Sequence, residues 1–382
     1  MHSPEFRFLL HACRLDEPEA ATVRAQELIE KVNPDWDDLL LRASFHRVEP
    51  QVSELIGKLP ESLIPPGVKE RLRESVQRNL VGQIRYVSEF FRIREWLGEE
   101  GVAVVPFKGF WLGGAMYGNL AARVSSDIDL FVDYNDLEKI KQVMSGKGYL
   151  GHTSLEELTE EYIQDELAEY NFDRYDEGVC QAHVEFHWRS TMRFYRMGVT
   201  LDDLKPQIIT GVLQGRELKV FSPAANLLLL VMHHGGKECY WQLRQILDIA
   251  HIIRTSPDLD YEWLLEQAGR FHLHTLLLVG VRLAHDLTGI DVPVAIRDIL
   301  KERKISRMAR GRIRLMSFPV DRLALYKDRV ASWMFKIRSR DGFRVRIHLC
   351  RHTVLKVVAP RIVPKQWRNF FFNRKIRRTN FV

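Results

Sequence analysis

The sequence has few cysteines and no long apolar segment. Cys13, Cys180, Cys239 and Cys350 lie far apart and none belongs to a Cys-x-x-Cys pair, so neither a disulfide framework nor a zinc knuckle is indicated. No apolar stretch reaches about 18 residues, the length that a membrane-spanning helix needs, and the longest uninterrupted run covers 227–232. The first twenty residues contain too short an apolar run for a secretory signal peptide. We therefore expect a cytoplasmic protein without a transmembrane segment.

Acidic residues are scarce in the last part of the chain. Residues 301–382 contain 24 Lys and Arg against 4 Asp and Glu, a net charge of +20. Because the whole chain has a formal net charge of +6, residues 1–300 carry −14. Such a basic region is expected either to dock on the acidic body or to hold an anionic partner. We favour docking opposite the carboxylates of 156–169, because 343–349 alternates apolar and basic residues as a half-buried strand does.

Two apolar runs flank a glycine-containing turn, and the second run begins with paired acidic residues. Val102–Phe107 predicts a buried strand, which Lys108-Gly109 interrupts before a short helical segment. A second strand is predicted over Asp127–Val132. Because side chains alternate along a strand, Asp127 and Asp129 point to the same side, about 7 Å apart. Two such carboxylates repel each other unless a cation lies between them, and Mg²⁺ readily joins carboxylate oxygens to substrate phosphates.

The order of strand, glycine-containing turn, short helix and Ser126-Asp127-Ile128-Asp129-Leu130 strand resembles the polymerase-β-type nucleotidyltransferase superfamily. With Lys108-Gly109, Tyr117 and Arg123 included, the pattern is similar to a bacterial family of uncharacterised nucleotidyltransferases. The resemblance covers residues 35–255. It departs from the wider superfamily at the first turn, where Gly-Ser is usual and this chain has Lys-Gly-Phe.

The resemblance implies a Mg²⁺-dependent nucleotidyltransferase that moves a nucleoside monophosphate from an NTP to a hydroxyl acceptor and releases diphosphate. Asp127, Asp129 and Glu185 would be the catalytic and metal-binding residues, holding two Mg²⁺ ions, with Mn²⁺ as the alternative ion. The implied substrate-binding residues are Lys108, Gly109, Arg123, Ser126, His234 and Lys237. The acceptor, whether a small molecule, a protein or RNA, stays open.

A further strand is predicted over Gln181–Trp188, and its alternation admits two interpretations. His183, Glu185 and His187 share one face of that strand. They could form a zinc site of two histidines and one carboxylate, typical of a hydrolase. Alternatively, Glu185 completes the Asp127 and Asp129 cluster, as the Glu-x-His-Trp pattern does in the family that the chain resembles. We favour the second interpretation because it gives all three carboxylates one site.

A helical region is predicted from Pro223 onward, with a polar stripe on an otherwise apolar sequence. Spacings of three and four residues would place the stripe on one helical face, unless Gly235-Gly236 interrupts the helix. The stripe consists of His234, Lys237, Trp241, Arg244 and Asp248. A cationic, aromatic stripe suits triphosphate and base contacts. Because His234-Gly235-x-Lys237 and Asp248 match the resembled family, we favour nucleotide binding over a purely structural stripe.

The remaining elements are predicted from apolar spacing and helix caps. The helices are Glu19–Val32, Trp36–His46, Val68–Gly98, Asn135–Lys147, Tyr261–Phe271 and Leu273–Leu287. The long third helix of this set is expected to bury Leu72, Val76, Leu80, Ile84, Val87 and Phe91. We expect the acidic segment 152–176 to be a solvated helix or a wall facing the basic region, and 198–222 to be a connector.

These elements predict an α/β fold of the α+β kind, in which a small mixed-sheet core is flanked by N-terminal and C-terminal helical subdomains. We divide the chain into an N-terminal helical region (1–98), a catalytic core (99–222), a helical nucleotide-binding domain (223–300) and a basic C-terminal region (301–382). Two other functions stay open. One is a toxin-type nucleotidyltransferase that modifies RNA or protein, and the other is a catalytically silent nucleotide-binding protein.

Overall fold

The computed structural model describes residues 2–152, 163, 167–321 and 330–353. Its α-helices are α1 (Pro4–Ala12), α2 (Pro18–Val32), α3 (Trp36–His46), α4 (Glu49–Gly57), α5 (Val68–Glu99), α6 (Gly109–Ala115), α7 (Leu137–Gly146), α8 (Leu201–Leu204), α9 (Pro223–Leu230), α10 (Leu243–Thr255), α11 (Tyr261–Arg270), α12 (His274–Thr288), α13 (Val294–Leu300), α14 (Arg303–Met316), α15 (Val330–Arg338) and α16 (Phe343–Thr353). Its strands are β1 (Val105–Pro106), β2 (Ile128–Phe131), β3 (Leu150–Gly151), β4 (Glu169–Asp176), β5 (Val179–His187), β6 (Ile208–Leu213) and β7 (Arg216–Phe221). The predicted mixed α/β class is confirmed. None of the described helices has the length and apolar character needed to cross a membrane.

Residues 105–187 contribute a five-stranded sheet with the order β1-β2-β5-β4-β3. Strand β2 runs parallel to β5, and the other neighbouring pairs are antiparallel. One face is apolar, with buried Leu130, Val184 and Phe186. The opposite face carries the polar side chains of β2, β5 and β4, because successive residues of a strand point to opposite sides. The sheet therefore concentrates its ionisable groups on one surface.

Helix α5 agrees with its predicted bounds but buries a more polar face than expected. Gln83 is fully buried, whereas Ile84, predicted to be in the core, is 50% exposed. The Gln83 amide donates to the Ser125 carbonyl oxygen (3.0 Å) and accepts from the Ser125 hydroxyl (2.9 Å). Asn79, one turn earlier, donates to the Ala121 carbonyl oxygen at 2.9 Å. The helix thus fixes the loop that leads into β2.

Two stretches that were predicted to lack strands contain them. Residues 169–176, expected in a solvated helix or wall, form β4, which pairs with β5 along its whole length. Residues 198–222, expected to be a connector, contain the β6–β7 hairpin. Within β4, polar Glu169, Asn171 and Asp173 alternate with buried Tyr170 and Phe172, but the acidic composition of 152–176 outweighed this strand signal. The acidic residues from 153 to 162 lie outside the described part of the chain.

The region 223–255 does not form one continuous helix, so the predicted single stripe is wrong. Helix α9 continues into a π-helical segment, Val231–Lys237, and the chain then turns before α10. Cys239 and Tyr240 have positive φ angles of 61° and 52° in this turn. A Cβ on Gly235 would lie 2.6 Å from the Tyr240 ring, so only glycine admits this return of the chain.

The described part of the basic C-terminal region is helical and packs on the helices before it. Helix α14 lies against α12. The segment 343–349, predicted to be a strand, belongs to α16. Val345 and Leu349 are buried one turn apart, whereas Phe343 is 77% and Ile347 48% exposed. The alternating apolar and basic residues therefore lie on a helix, in which residues four positions apart share a face.

Arg340 attaches this region to neighbouring loops by hydrogen bonds to carbonyl oxygens rather than by ion pairs with carboxylates. Its buried guanidinium donates to the carbonyl oxygens of Tyr195 (2.8 Å), Arg196 (2.9 Å), Phe271 (2.8 Å) and His272 (3.1 Å). The carboxylates expected to oppose the basic region lie mostly outside the described residues. Glu169, which is described, contacts His187 and Lys237 instead.

We expect Arg340→Met to lower the free energy of unfolding by about 3 kcal/mol, because four carbonyl oxygens lose a charged donor in a buried setting. Arg338→Met is the matched control, since Arg338 is exposed two residues away and should change stability by less than about 0.5 kcal/mol. Urea unfolding followed by tryptophan fluorescence measures both. Equal stability of the two variants would contradict the fastening role of Arg340.

His46 of α3 is hydrogen-bonded to α10 and α14, and its burial leads us to expect a loss of stability in acid. Its Nδ1 accepts from the Leu243 N–H (3.4 Å), so its Nε2 donates to the Met316 carbonyl oxygen (3.2 Å) and the ring is neutral. Complete burial lowers the pKa of His46 to about 3. The unfolded chain binds a proton here below pH 6.5 and the folded chain does not, so stability falls as the pH drops from 6.5 toward 3.

His46→Gln should therefore flatten the pH dependence of unfolding. Glutamine can keep one donor and one acceptor, but it removes a slope of up to about 1.4 kcal/mol per pH unit between pH 6 and 4. Urea unfolding at pH 7, 6, 5 and 4 provides the comparison. If the variant and the wild type lose stability equally over this range, the assignment of the slope to His46 is wrong.

Candidate active site

The centre of the site is a pair of carboxylates on neighbouring parallel strands. Asp129 on β2 and Glu185 on β5 are register partners, so their side chains leave the sheet side by side on its polar face. The next pair in register, Leu130 and Phe186, points to the opposite face of the sheet and is buried there, which fixes the direction of the two carboxylates. The sheet thereby holds two negative charges together in a buried setting.

Lys108 lies against this pair. Its Nζ is 2.7 Å from Asp129 Oδ1, and both side chains are buried. Burial alone would lower the pKa of Lys108, but Asp129, Glu185 and Asp127 raise it. Lys108 also has a positive φ of 65°, unusual for a residue with a side chain. Strained backbone of this kind is held by its surroundings and is common at functional sites.

Asp127 adds a third carboxylate at the entrance of β2. It lines a cavity of about 160 Å³ together with Asp129, Lys108 and Ser126, of which Ser126 is exposed at the edge. Burial and the neighbouring charges of Asp129 and Glu185 raise the pKa of Asp127. A cation placed among the three carboxylates would relieve this repulsion.

His187 sits on the inner side of the carboxylate pair. Its Nε2 is 3.1 Å from Asp129 Oδ1 and 3.2 Å from Glu185 Oε2, and its Nδ1 is 3.2 Å from Glu169 Oε2. Although burial would lower it, these three carboxylates raise the pKa of His187 to about 10. Both ring nitrogens therefore carry protons, and the imidazolium balances part of the negative charge.

The predicted zinc alternative is not the arrangement that the strand produces. His183 contacts Glu185 Oε1 at 3.3 Å, while His187 contacts the other oxygen, so Glu185 separates the two rings. His183 Nδ1 is held instead by Asp173 Oδ1 at 2.6 Å, and His152 contacts the same aspartate. Among the described residues, His183 forms a compact group of possible ligand atoms with His152 and Asp173. Two other such groups lie at the site: Asp129, Glu185 and His187, and His233, His234 and Glu238.

A buried ion pair connects the turn after β1 to the helical region. Arg123 donates from Nε to Asp248 Oδ1 (2.8 Å) and from Nη2 to Asp248 Oδ2 (2.9 Å), and from Nη1 to the Gly109 carbonyl oxygen (3.2 Å). The Tyr117 hydroxyl and His234 Nε2 contact the same carboxylate at 2.7 and 2.9 Å. Despite burial, Arg123 and His234 hold the pKa of Asp248 well below its usual range.

The turn after β1 needs glycine because it passes close to the start of β2. Gly109 has a φ of 44°, and a Cβ there would lie 3.2 Å from the Asp127 carbonyl oxygen. The Gly109 backbone can therefore lie beside the start of β2 only without a side chain. The predicted residues Gly109, Arg123 and His234 thus lie near Asp127. The side chains of Arg123 and His234, however, are hydrogen-bonded to Asp248.

Comparison with protein families gives one finding. The model of a family described as uncharacterised nucleotidyltransferase matches residues 33–289, about two thirds of the chain. The chain belongs to this family. It is therefore a transferase that catalyses nucleotidyl transfer, with an NTP as substrate. Neither the curated proteins nor the solved structures gave a match.

The carboxylates of this nucleotidyltransferase fit a divalent cation. Asp127, Asp129 and Glu185 offer several oxygen atoms at one end of β2, and hard ions such as Mg²⁺ prefer oxygen ligands. Burial, and after it the charge of Asp129, raises the pKa of Asp127, and a cation bound there would stabilise its ionised form. Nucleotidyltransferases of this family usually use divalent metals, and the acidic cluster is consistent with such a metal site.

Several residues of the cavity escaped the sequence analysis. They are Arg47, His233, Glu238 and Gln242. Glu238 lies 3.4 Å from His234 Nδ1 and 3.6 Å from His233 Nε2. The double His-His sequence was the available signal, but only the π-helical turn lets both rings face one carboxylate.

The predicted stripe is divided between two surroundings. Arg244 lines the cavity, with Nη1 3.7 Å from Asp248 Oδ2. Lys237 lies beside the sheet, with Nζ 3.7 Å from Glu169 Oε2. Trp241 is buried and donates from Nε1 to the Ser332 hydroxyl at 3.1 Å, so it is unavailable for stacking on a base.

A double-mutant cycle should show that Arg123 and Asp248 act as a unit. Arg123→Met leaves a buried carboxylate without its main counter-charge and is expected to cost about 3–5 kcal/mol of unfolding free energy. Adding Asp248→Asn removes that charge while keeping partners for Tyr117 and His234, so the double variant should recover part of the loss. Urea unfolding gives all the values. Strictly additive losses would argue against a coupled pair.

Proposed function

We propose that this nucleotidyltransferase moves a nucleoside monophosphate from an NTP to a hydroxyl acceptor, with release of diphosphate, and that it depends on Mg²⁺ held by Asp127, Asp129 and Glu185. The observation that carries the proposal is the side-by-side register of Asp129 and Glu185, with Asp127 lining the same cavity. We propose two ions, with Mn²⁺ as an alternative. When bound, the metal polarises the α-phosphate and lowers the pKa of the attacking hydroxyl.

The carboxylates orient the reaction from a rigid sheet. Asp129 and Glu185 are fixed by β2 and β5, and His187 braces both of them from behind at 3.1 and 3.2 Å. Asp127 lies where the chain enters β2 and faces the cavity. This support limits the movement of the carboxylates, as accurate in-line attack requires. We assign Glu185 either to the second ion or to the hydroxyl proton.

The residues around the carboxylates are suited to the triphosphate. Lys108 can exchange its contact with Asp129 for a phosphate oxygen when the carboxylate takes up the metal, and the Gly109 turn lets backbone N–H groups approach the phosphates. Ser126 lies at the cavity edge. We propose that Lys237 contacts the nucleotide, while Arg123 and His234 contribute by holding Asp248 and the turn.

The proposed division of labour follows the sequence regions 99–222 for catalysis and 223–300 for nucleotide binding. Two alternatives differ in biology rather than in fold. A toxin-type enzyme would transfer the nucleotide to RNA or protein through the same carboxylates. A catalytically silent nucleotide-binding protein would have no need of three carboxylates, and their presence together in this chain favours an active enzyme.

Asp129→Asn should abolish transfer while leaving the fold intact, because the amide keeps the shape but not the charge of a metal ligand. We expect turnover to fall by roughly a hundredfold or more when one such transition-state contact is lost. The assay incubates the protein with α-labelled NTPs, Mg²⁺ and a cell extract and follows both labelled product and diphosphate. EDTA should stop the wild-type reaction, and added Mg²⁺ or Mn²⁺ should restore it.

Asp176→Asn is the matched control, because Asp176 is exposed at the far end of β4 and lies outside the cavity. It should keep wild-type activity. Circular dichroism and thermal melts check that both variants are folded. Near-normal, Mg²⁺-dependent turnover by Asp129→Asn would overturn the assignment of the metal site.

A further inference from the structure

A second, larger cavity lies in the basic C-terminal region, outside the part of the chain that matches the family. It has a volume of about 940 Å³ and is formed by α14, α15 and α16. Half of its lining residues are cationic. These are Arg303, Lys304, Arg307, Arg312, Arg338 and Arg346. As far as the chain is described, no carboxylate lines this cavity, and the nearest ion pair of its cations is Lys304 with Asp341 at 3.9 Å, so most of its positive charge is unpaired.

Three of the six cations are available for a ligand, whereas Lys304 donates to the Thr275 hydroxyl (2.8 Å) and Arg346 to the Arg340 carbonyl oxygen (2.8 Å). Within the described ranges, Arg303, Arg307 and Arg338 form no ion pair, and all three are exposed. Arg312 is buried and touches only uncharged partners: the carbonyl oxygens of Cys239 (3.3 Å) and Ala331 (3.1 Å), and the rings of Trp241 and Phe335. A buried cation without a counter-charge is costly and is stabilised when an anion binds nearby.

Helix α14 repeats the same imbalance at its start. Its first turn contains Arg303 and Lys304 and no acidic residue, although Glu302 is its N-cap. Cations at a helix N-terminus oppose the helix dipole, whose positive end attracts anions.

The floor of the cavity is apolar. Met308, Leu315, Met334 and Phe335 line it between the cations. An anion that uses this floor must carry flat or apolar groups next to its charges. Single-stranded nucleic acid has this chemistry, since its phosphates repeat along the chain and its unpaired bases are free to pack on apolar side chains. A duplex keeps its bases stacked inside.

The cavity and the active site share one turn of the chain. Glu238 and Gln242 line the active-site cavity, while Cys239 and Trp241, between them, contact Arg312 and Ser332 of the C-terminal helices. Residues 238–242 therefore border both cavities. A strand held by α14 and α15 lies next to a turn that also lines the carboxylate cavity, and this adjacency is the observation that suggests an acceptor.

We propose that the cavity lined by α14, α15 and α16 binds single-stranded nucleic acid and that this strand is the acceptor, an assignment that rests on the proposed function. In the reaction, a hydroxyl oxygen of the strand forms a bond to the α-phosphorus of the NTP. The bond from that phosphorus to the diphosphate oxygen breaks, and diphosphate leaves with the electron pair. The hydroxyl proton passes to Glu185 or to water.

Binding is tested with the full-length protein and a fluorescein-labelled 15-nucleotide oligoribonucleotide, without NTP, by fluorescence anisotropy between 50 and 300 mM salt. With three or four phosphates neutralised, the logarithm of the association constant should fall with the logarithm of salt with a slope of about −2 to −3. Arg303→Glu with Arg307→Glu should weaken binding by about tenfold or more, since both side chains line the cavity.

The matched control is Arg73→Glu with Arg78→Glu on α5. It makes the same change of net charge at side chains that are 73% and 71% exposed and lie far from the cavity lining. It should alter binding by less than about twofold beyond the general charge effect. Equal weakening by both double variants, or no weakening by the cavity variant, would overturn the proposal.

Further arms identify the ligand. An oligodeoxyribonucleotide of the same sequence distinguishes DNA from RNA as the source of the strand. Anionic vesicles of phosphatidylglycerol test the competing occupant suggested by exposed Phe343 and Ile347, and tighter binding to vesicles than to either oligonucleotide overturns the proposal. So does full competition by an equimolar mononucleotide.

The acceptor role is separable from nucleotidyl transfer itself. Asp129→Asn should bind the oligonucleotide like the wild type while losing transfer, because Asp129 is not part of the second cavity. We expect the wild type to extend or cap the bound oligonucleotide with labelled nucleotide. If it labels another component of the extract and never the bound strand, the acceptor assignment fails and the proposed transfer reaction stands.

Discussion

The buried pair of Arg123 and Asp248 is the contact on which the geometry of the site depends. It joins the turn at Gly109 and the loop before β2 to helix α10, although 125 residues separate the two partners in the sequence. Isolated burial of either charge would be costly, and their bidentate geometry with Tyr117 and His234 offsets that cost. The sheet and the helical region therefore keep one relative position, and with it the shape of the cavity.

Charge balance at the carboxylates follows from the same architecture. Asp129 and Glu185 are neighbours because β2 and β5 are parallel and in register, and the protein compensates with Lys108 on one side and protonated His187 on the other. Both cations contact Asp129, so a divalent ion held there as proposed would compete with them for its oxygen atoms. Lys108 is attached through a flexible side chain and can move, whereas the ring of His187 is confined by Phe107 at 5.0 Å.

From the sequence alone, the residues proposed for this site could be predicted, but little of the structure around them. Asp127, Asp129 and Glu185 could be identified because strand alternation and a family pattern act locally, and helices such as Trp36–His46 were marked by caps and apolar spacing. Strand β4 was missed because the acidic composition of 152–176 outweighed the alternation of its polar residues with buried Tyr170 and Phe172. Glu238 was missed because its role depends on a turn whose positive φ angles at Cys239 and Tyr240 come from tertiary packing.

The division between structural and functional polar residues also required the folded chain. His234 and Arg123 have the sequence features of substrate ligands, yet their nitrogen atoms are directed to a buried aspartate. Arg340 belongs to a region whose charge suggested an anionic partner, yet it binds four carbonyl oxygens of neighbouring loops. Composition counts the charges of a region, whereas burial decides which of them remain free to meet a ligand.

The π-helical segment Val231–Lys237 has a consequence for how sequence change can be tolerated. A π-turn holds one residue more than an α-turn at nearly the same length, so it is equivalent to an insertion into a regular helix. Deleting a single residue there would let the α-helical hydrogen-bond ladder close, and the chain before the deletion would rotate by about 100° relative to α10. His234 would then leave Asp248. Chain length in this segment is thus as tightly constrained as residue identity, and point substitutions alone underestimate that constraint.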